Sequence, residues 1–531
     1  MDKLMYLKPN VVFEPLVDRW YAWSHLISPA TAAMNIVNRH LKIMSSYVSA
    51  PAIHASSVKN PKMRGGPFID LNGERVDEVK QLINDTMQSR SHMIELAKSI
   101  TDLEKILKEK GTGYSLEALY PDVPENLKGL VELVYDLNNN PTYRFYESLL
   151  YRSEFYNKSS QSIVFWLTAN DERPFVLSTP RLDNENVCHV PLAFDNGIID
   201  DLARMKKTKG NAAEMMRRLN LDDKQQQLFS TFFTEEEPVR YQKYTGDKIR
   251  MRYFGHACIL IETATVSILV DPLISYYGFM SDIDKFSDVD LPDEIDYVLI
   301  THNHQDHILL ETLLPLRHKI KNIVVPDGGN RSIQDPRLKI MFEAIGFKSV
   351  LEISEFEQII GKDCTITGVP FLGEHCDLDI MSKMCYHIHF GKFSVLFVAD
   401  SCISEPMFYH RIHEFTGDID VICFGMECEG AALSWLYGPL LTYTLARDKD
   451  HSRRLAGSNF AKGKGFVDVF HPKEIYVYAM GMEPWVEFIS SIKYTEESGP
   501  IVESNKMLSY CREKNVIAER LFGEKELLYT K

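Results

Sequence analysis

Much of what usually identifies a protein is missing from these 531 residues. There is no GxGxxG after a strand-like run, no GxxxxGK[ST] and no GxSxG, which removes the dinucleotide, nucleotide and serine-hydrolase readings. No uninterrupted apolar run approaches the ~18 residues of a membrane span. The opening MDKLMYLKPNVVFEP lacks the continuous apolar stretch of a signal peptide. Basic residues are the minority: 59 Lys and Arg stand against 74 Asp and Glu, a formal charge of −15 that would repel a phosphate backbone. The nine cysteines are scattered without CxxC spacing, as in a reducing compartment. A lone Cys385-Tyr386-His387 does not make a Rieske site, which needs two such pairs. These absences predict a cytoplasmic protein with neither nucleic acid nor membrane as partner.

What is present is an ordinary globular composition, 45% hydrophobic and 25% charged, over a length that calls for at least two domains. Residues 28–44, SPATAAMNIVNRHLKIM, carry a Ser N-cap, Pro29 in the first turn and helical apolar spacing. Segments 74–99, 101–110, 126–138, 199–208 and 211–229 also read as helical, with 162–167 the clearest strand. After TEEEP at 234–238 the pattern changes to short strand-length pieces. The boundary is placed near 240, giving a mostly α domain at 1–240 and a second domain at 241–531. Strands are expected near 251–254, 258–262, 266–270, 296–300, 322–325, 364–369, 385–390, 393–399, 419–424 and 474–479. That mixture suits two packed mixed sheets flanked by helices.

The chemistry concentrates where DYVLI, 296–300, runs into Thr301-His302-Asn303-His304-Gln305-Asp306-His307. His302 and His304, two apart in an extended loop, can face one metal; Asp306 and His307, at the turn into a helix, can face a second. A solvated polar loop is the bland alternative, and it fits any single His better than this cluster at a strand end. FSVLFVA, 393–399, ends at Asp400, a carboxylate able to span two ions. CTITGVP, 364–370, leads to Glu374 and His375, side by side. If His375 binds, three imidazoles suit zinc and hydrolysis. If Glu374 binds, an oxygen-rich set suits iron.

HNHQDH after a strand, with GHACILIET and ILVDP at 255–272 before it, resembles the metallo-β-lactamase superfamily over about 240–490. The resemblance implies an αββα sandwich with a dinuclear centre, making the whole chain α+β. FEPLVDRWYAW at 13–23, GEH at 373–375 and MECEGAALSWLYGPLL at 426–441 extend the likeness to nearly the whole chain. It is similar to the diiron β-hydroxylases of nonribosomal peptide assembly, typified by that of chloramphenicol biosynthesis. That family implies Glu374 as a ligand in place of a histidine. His302, His304 and Glu374 would then hold one iron, Asp306 and His307 the other, and Asp400 would bridge. The family also implies two Fe ions as cofactor, O2 as co-substrate and electrons from a donor protein. Its partner is a peptidyl carrier domain bearing an aminoacyl thioester, and its N-terminal domain serves dimerisation or carrier docking, so a homodimer is expected.

One departure from the superfamily is that EIYVYAMGMEPW at 474–485 offers no His at its strand end. Glu427 or Glu483 could stand in, and Glu427 joins Glu374 and Asp400 as a catalytic candidate; a carboxylate at a helix start is its plainer role. His256 and Asp271 fit better as groups that orient an imidazole than as ligands. Trp435 and Tyr437 could wall a substrate pocket, though such aromatics, like Trp20, Tyr21 and Trp23, more often serve packing. A dinuclear zinc hydrolase acting on a lactone, phosphodiester or thioester is the competing function. An inert scaffold is a third reading, and it should have lost ligands that are intact here.

Overall fold

The computed structural model describes residues 3–170, 173–278, 282–329 and 331–531. Strands Ile249–Tyr253, Ile259–Glu262 and Ser267–Val270 form an antiparallel meander. Ile295–Leu299, Ile320–Pro326 and Val350–Ile353 extend it in parallel on one edge, and Lys525–Tyr529 closes the other. A second sheet runs antiparallel through Gln358–Ile360, Thr365–Val369, Cys385–Phe390 and Phe393–Ala399. It continues in parallel through Val421–Gly425, Glu474–Tyr478 and Ile517–Arg520. Both sheets have seven strands.

Alternation along these strands sorts the core. Ile259, Ile261, Ile268 and Val270 of the first sheet meet Ile366, Ile388, Val395 and Phe397 of the second. Leu260 and Leu269, one residue out of phase, face the opposite way, toward helices Leu310–Leu316 and Leu338–Ala344. Leu396, Val398, Ile422 and Phe424 pack outward on helices Pro406–Thr416, Phe460–Phe470 and Gly499–Glu513. The result is the expected αββα sandwich. Its first-sheet outer core does not stop at the helices. Phe13, Phe165, Ile199 and Leu202 belong to the same buried cluster as Leu310, Leu313 and Phe342, so the first 240 residues and the sandwich share one apolar interior.

The N-terminal half contains the helices Pro29–Asn35, Leu41–Ser49, Val76–Ser89 and Ser91–Lys110. It also holds more strand than its pattern suggests. Val11–Val17 is buried along its whole length and lies between Trp20–Tyr21 and Gln161–Leu167, with Cys188–Pro191 beyond. A strand covered on both faces shows no alternation, which hides it in the sequence. The helix expected over 126–138 is instead a hairpin, Val131–Tyr135 against Pro141–Phe145. Val131 and Leu133 alternate inward, and Asn139 takes a left-handed turn conformation, φ 62°, of the kind Asn tolerates. Among the described residues no helix is long and apolar enough to cross a membrane.

Candidate metal centre

The strand Ile295–Leu299 stops at Thr301, and the turn that follows is held from below by one carboxylate. Asp271, fully buried at the end of Ser267–Val270, accepts from the Thr301 amide (2.8 Å) and the Thr301 hydroxyl (2.6 Å) and lies 2.8 Å from His307 Nδ1. With its hydrogen on Asp271, Thr301 Oγ1 is left to accept from His302 Nδ1 at 3.0 Å. Both imidazoles thus donate from Nδ1, and each turns its Nε2 into the cavity. Those two nitrogens lie 3.5 Å and 3.3 Å from Asp400 Oδ2.

Asp400 is aimed by local distortion. The register between Phe393–Ala399 and Val421–Gly425 slips between Phe397 and Ala399, a bulge that re-aims the next side chain, and Ala399 is left-handed at φ 48°. Opposite it, a Cβ on Gly425 would come within 2.8 Å of Asp400 Oδ1, so only glycine leaves room for the carboxylate. Glu374 is likewise held at φ 72° after Gly373 at φ 84°, a backbone state costing about 1–3 kcal/mol for a side-chain-bearing residue. The kink sends Glu374 and His375 different ways. Glu374 Oε1 lies 3.1 Å from His304 Nδ1. His375 Nδ1 lies 2.9 Å from the Tyr437 hydroxyl and 3.0 Å from Glu374 Oε2.

Ligand-type atoms of His302, His304, Glu374 and Asp400 all fall within 4.8 Å of one another, and those of His256, Asp306 and His307 form a second group beside them. His375 is in neither group. His256 Nδ1 accepts from the Gly481 amide at 3.2 Å, so its proton is on Nε2, 3.3 Å from Asp306 Oδ2. His256 thus turns Nε2 toward the Asp306 carboxylate without a formed hydrogen bond between them. Glu427 lines the cavity over the cluster, a space of about 350 Å3 shared with Asp306, Glu374, Asp400 and Trp435. Glu483 does not reach it; its carboxylate accepts from the Tyr253 hydroxyl.

The electrostatics call for cations. Glu374 and Asp400 are buried and Asp306 and Glu427 half-buried, and their charged neighbours within 4.0 Å are imidazoles only, with no Lys or Arg among the described residues. His307 Nε2, Asp400 Oδ1 and Glu374 Oε2 have no hydrogen-bond partner. Burial alone would lower the His307 imidazole, yet Asp271, Asp306 and Asp400 together lift it well above its ordinary value. Burial, and then the neighbouring imidazoles of His307, His304 and His375, hold His302 well below. Glu427 is driven well above the usual carboxylate range by burial and then by Asp400, Asp306 and Glu374. Uncompensated carboxylates of this density are costly, and two divalent ions would remove the cost. A set of imidazole and carboxylate with no thiolate fits iron; Cys428, which follows Glu427 in sequence, is pushed up to about 12 by burial and then by Glu503 and Glu427.

Two features escaped the sequence reading, the part of Thr301 beside Asp271 in setting two imidazoles and the need for Gly425, while Tyr437, expected as a pocket wall or packing aromatic, contacts two histidines. The Tyr437 hydroxyl, 3.3 Å from His304 Nε2, ties His304 to His375. A Thr directly before HxHxDH and a Gly closing an apolar strand were the available signals.

Residues 6–238 match the model of the diiron non-heme β-hydroxylase N-terminal domain, and 250–423 match that of a β-lactamase superfamily domain. The chain is 37% identical, over 97% of its length and 98% of the relative's, to the 4-amino-L-phenylalanyl-[CmlP-peptidyl-carrier-protein] 3-hydroxylase of Streptomyces venezuelae. The crystal structure of CmlA, a diiron β-hydroxylase from Streptomyces venezuelae, superposes with a TM-score of 0.93 at 36% identity, covering 99% of this chain and all of that one. A mutant of CmlA gives 0.91 over 98% of this chain and 99% of that one, again at 36% identity. Fold, site chemistry and near-complete coverage converge: the chain belongs to the family of diiron non-heme β-hydroxylases.

Proposed function

We propose that the protein hydroxylates the β-carbon of an amino acid held as a thioester on a peptidyl carrier protein, within nonribosomal peptide or antibiotic biosynthesis. In this reading His302, His304 and Glu374 would hold one iron and Asp306 and His307 the other, with Asp400 placed between the two groups as a shared ligand. The observation that carries it is the turn of Glu374, not His375, toward His304 and Asp400, which replaces an imidazole by a harder donor. That same geometry disfavours the zinc hydrolase reading. A bound diiron centre would supply reductive activation of O2, chemistry that needs a metal able to change oxidation state and is closed to Zn2+.

The chain's own residues do the rest. Asp271 and Thr301 hold Nδ1 of His307 and His302 and so turn the Nε2 of each toward the cluster. Glu427, its carboxyl driven upward by burial and then by Asp400, Asp306 and Glu374, sets a proton-exchanging group on the cavity wall. Leu455, Ile492 and Trp435 wall the space against water. We assign the electrons to an outside donor protein, a homodimer as the working assembly, the N-terminal domain to carrier docking or dimerisation, and the cytoplasm as the site of action.

Metal analysis of the purified chain is expected to return about two irons, and incubation with reductant, O2 and aminoacyl carrier should add one oxygen atom to the acyl group by mass spectrometry. Two zincs without iron would reject the oxygenase. Glu374→His should suppress hydroxylation in a folded protein; unchanged activity would move the ligand to His375.

A further inference from the structure

Beside the metal cavity lies a larger cleft, about 570 Å3, between the N-terminal helices and the segment 431–451. The two spaces share Gly65, Ala431 and Trp435 as a common wall. At that wall the Trp435 indole donates to the Gly65 carbonyl at 2.9 Å, and Gly65 is left-handed at φ 71°. One side of the cleft is built by an irregular helix. At Ile36–His40 it widens so that the Leu41 amide reaches back to the Ile36 carbonyl, the π-type turn that recurs at functional sites.

This stretch sets two cations into the cleft, Arg39 and Lys42. Arg39 is only 8% exposed. Its Nη2 donates to the carbonyls of Trp435 and Leu436 at 2.5 Å and 3.2 Å, while Nη1 has no partner. Lys42 donates to the neutral Asn38 side chain at 3.0 Å. Neither cation is ion-paired among the described residues. The one carboxylate in the lining, Asp450, is occupied by the Ser434 amide and hydroxyl at 2.8 Å and 2.7 Å. A second opening past Gly65 also carries cations, but there Arg64 and Lys493 both pair with Glu487 and Arg173 with Glu311. In a chain of charge −15, the cleft stands out as an unneutralised positive site, with Arg39 buried and Lys42 exposed, across a shared wall from the metal cavity.

Carrier domains hold their cargo on a 4′-phosphopantetheine arm whose phosphodiester is a single negative charge at the end remote from the thioester. Resting on the carrier-bound substrate proposed above, we infer that the cleft of Arg39 and Lys42 binds that phosphate, while the thioester end passes Gly65 and Trp435 into the metal cavity. A cleft-lining guanidinium whose Nη1 is buried and unpartnered, beside an exposed ammonium, is suited to a phosphate.

The test is calorimetric titration of the iron-loaded protein at low salt with 4′-phosphopantetheine, with pantetheine and with inorganic phosphate. The phosphorylated arm should bind at least tenfold tighter than pantetheine. Lys42→Gln, at an exposed position that will not perturb folding, and Arg39→Lys should each cut that preference to threefold or less. Equal or undetectable binding of the two arms, or a preference that survives both substitutions, overturns the proposal. Inorganic phosphate binding as tightly as the arm would leave a simple anion site and overturn it too. Turnover on aminoacyl carrier is scored separately: binding of the arm without hydroxylation would sink the oxygenase reading and leave the arm site standing.

Discussion

Among the described residues two places gather histidine and carboxylate within ligand distance, and they differ in almost everything else. At the far end of the second sheet, exposed Asp418 accepts from both His413 Nε2 (2.8 Å) and His471 Nδ1 (2.9 Å). The hydrogen bonds from His471 and His413 hold the Asp418 carboxyl below its ordinary value, and its needs are met without an ion. In the cavity the donors are mostly buried, Glu374 and Asp400 are set by left-handed backbone at Glu374 and Ala399, and His307 Nε2, Asp400 Oδ1 and Glu374 Oε2 have no hydrogen-bond partner. The lesson is that residue type and proximity do not make a metal centre; unsatisfied, preorganised donors in a dry place do.

The comparison can be broken at its strongest point. Gly425→Ala should push the Asp400 carboxylate aside and abolish iron loading, read as metal per folded chain; full loading would show that Asp400 is not constrained by the close approach. Asp271→Asn leaves size and burial alone but removes the acceptor for His307 Nδ1–H, and should lower iron affinity about 10–100-fold, measured by chelator competition. A pH series sharpens the contrast further. Because His307 is lifted well above its ordinary value in the metal-free cluster, iron must displace its proton, so affinity should rise with pH through and above neutrality, by roughly tenfold per unit for one proton released. A flat profile would contradict a protonated His307. At the weak end, Asp418→Ala should leave iron content unchanged and stability within about 0.5 kcal/mol.

The sandwich was legible because its strands are short apolar runs with turn residues between them, and HNHQDH was legible because its spacing is local. The missed elements share a cause. Val11–Val17 is covered on both faces, Val131–Tyr135 depends on its hairpin partner, and Lys525–Tyr529 becomes a strand by pairing with Ile249–Tyr253 from the other end of the domain. Likewise Tyr437 reads as a core aromatic until His304 and His375 are placed beside it.

By itself, the chain of amino acids determined which donors exist, their order along the strands and the clustering of four of them in one turn, since these follow from local period and spacing. Only the tertiary structure decided that Glu374 and His375, adjacent in sequence, face different neighbours, and that an Arg and a Lys of an early helix border the same wall as the metals. Such choices depend on φ angles and contacts between segments hundreds of residues apart, and those are set by packing rather than by any local preference.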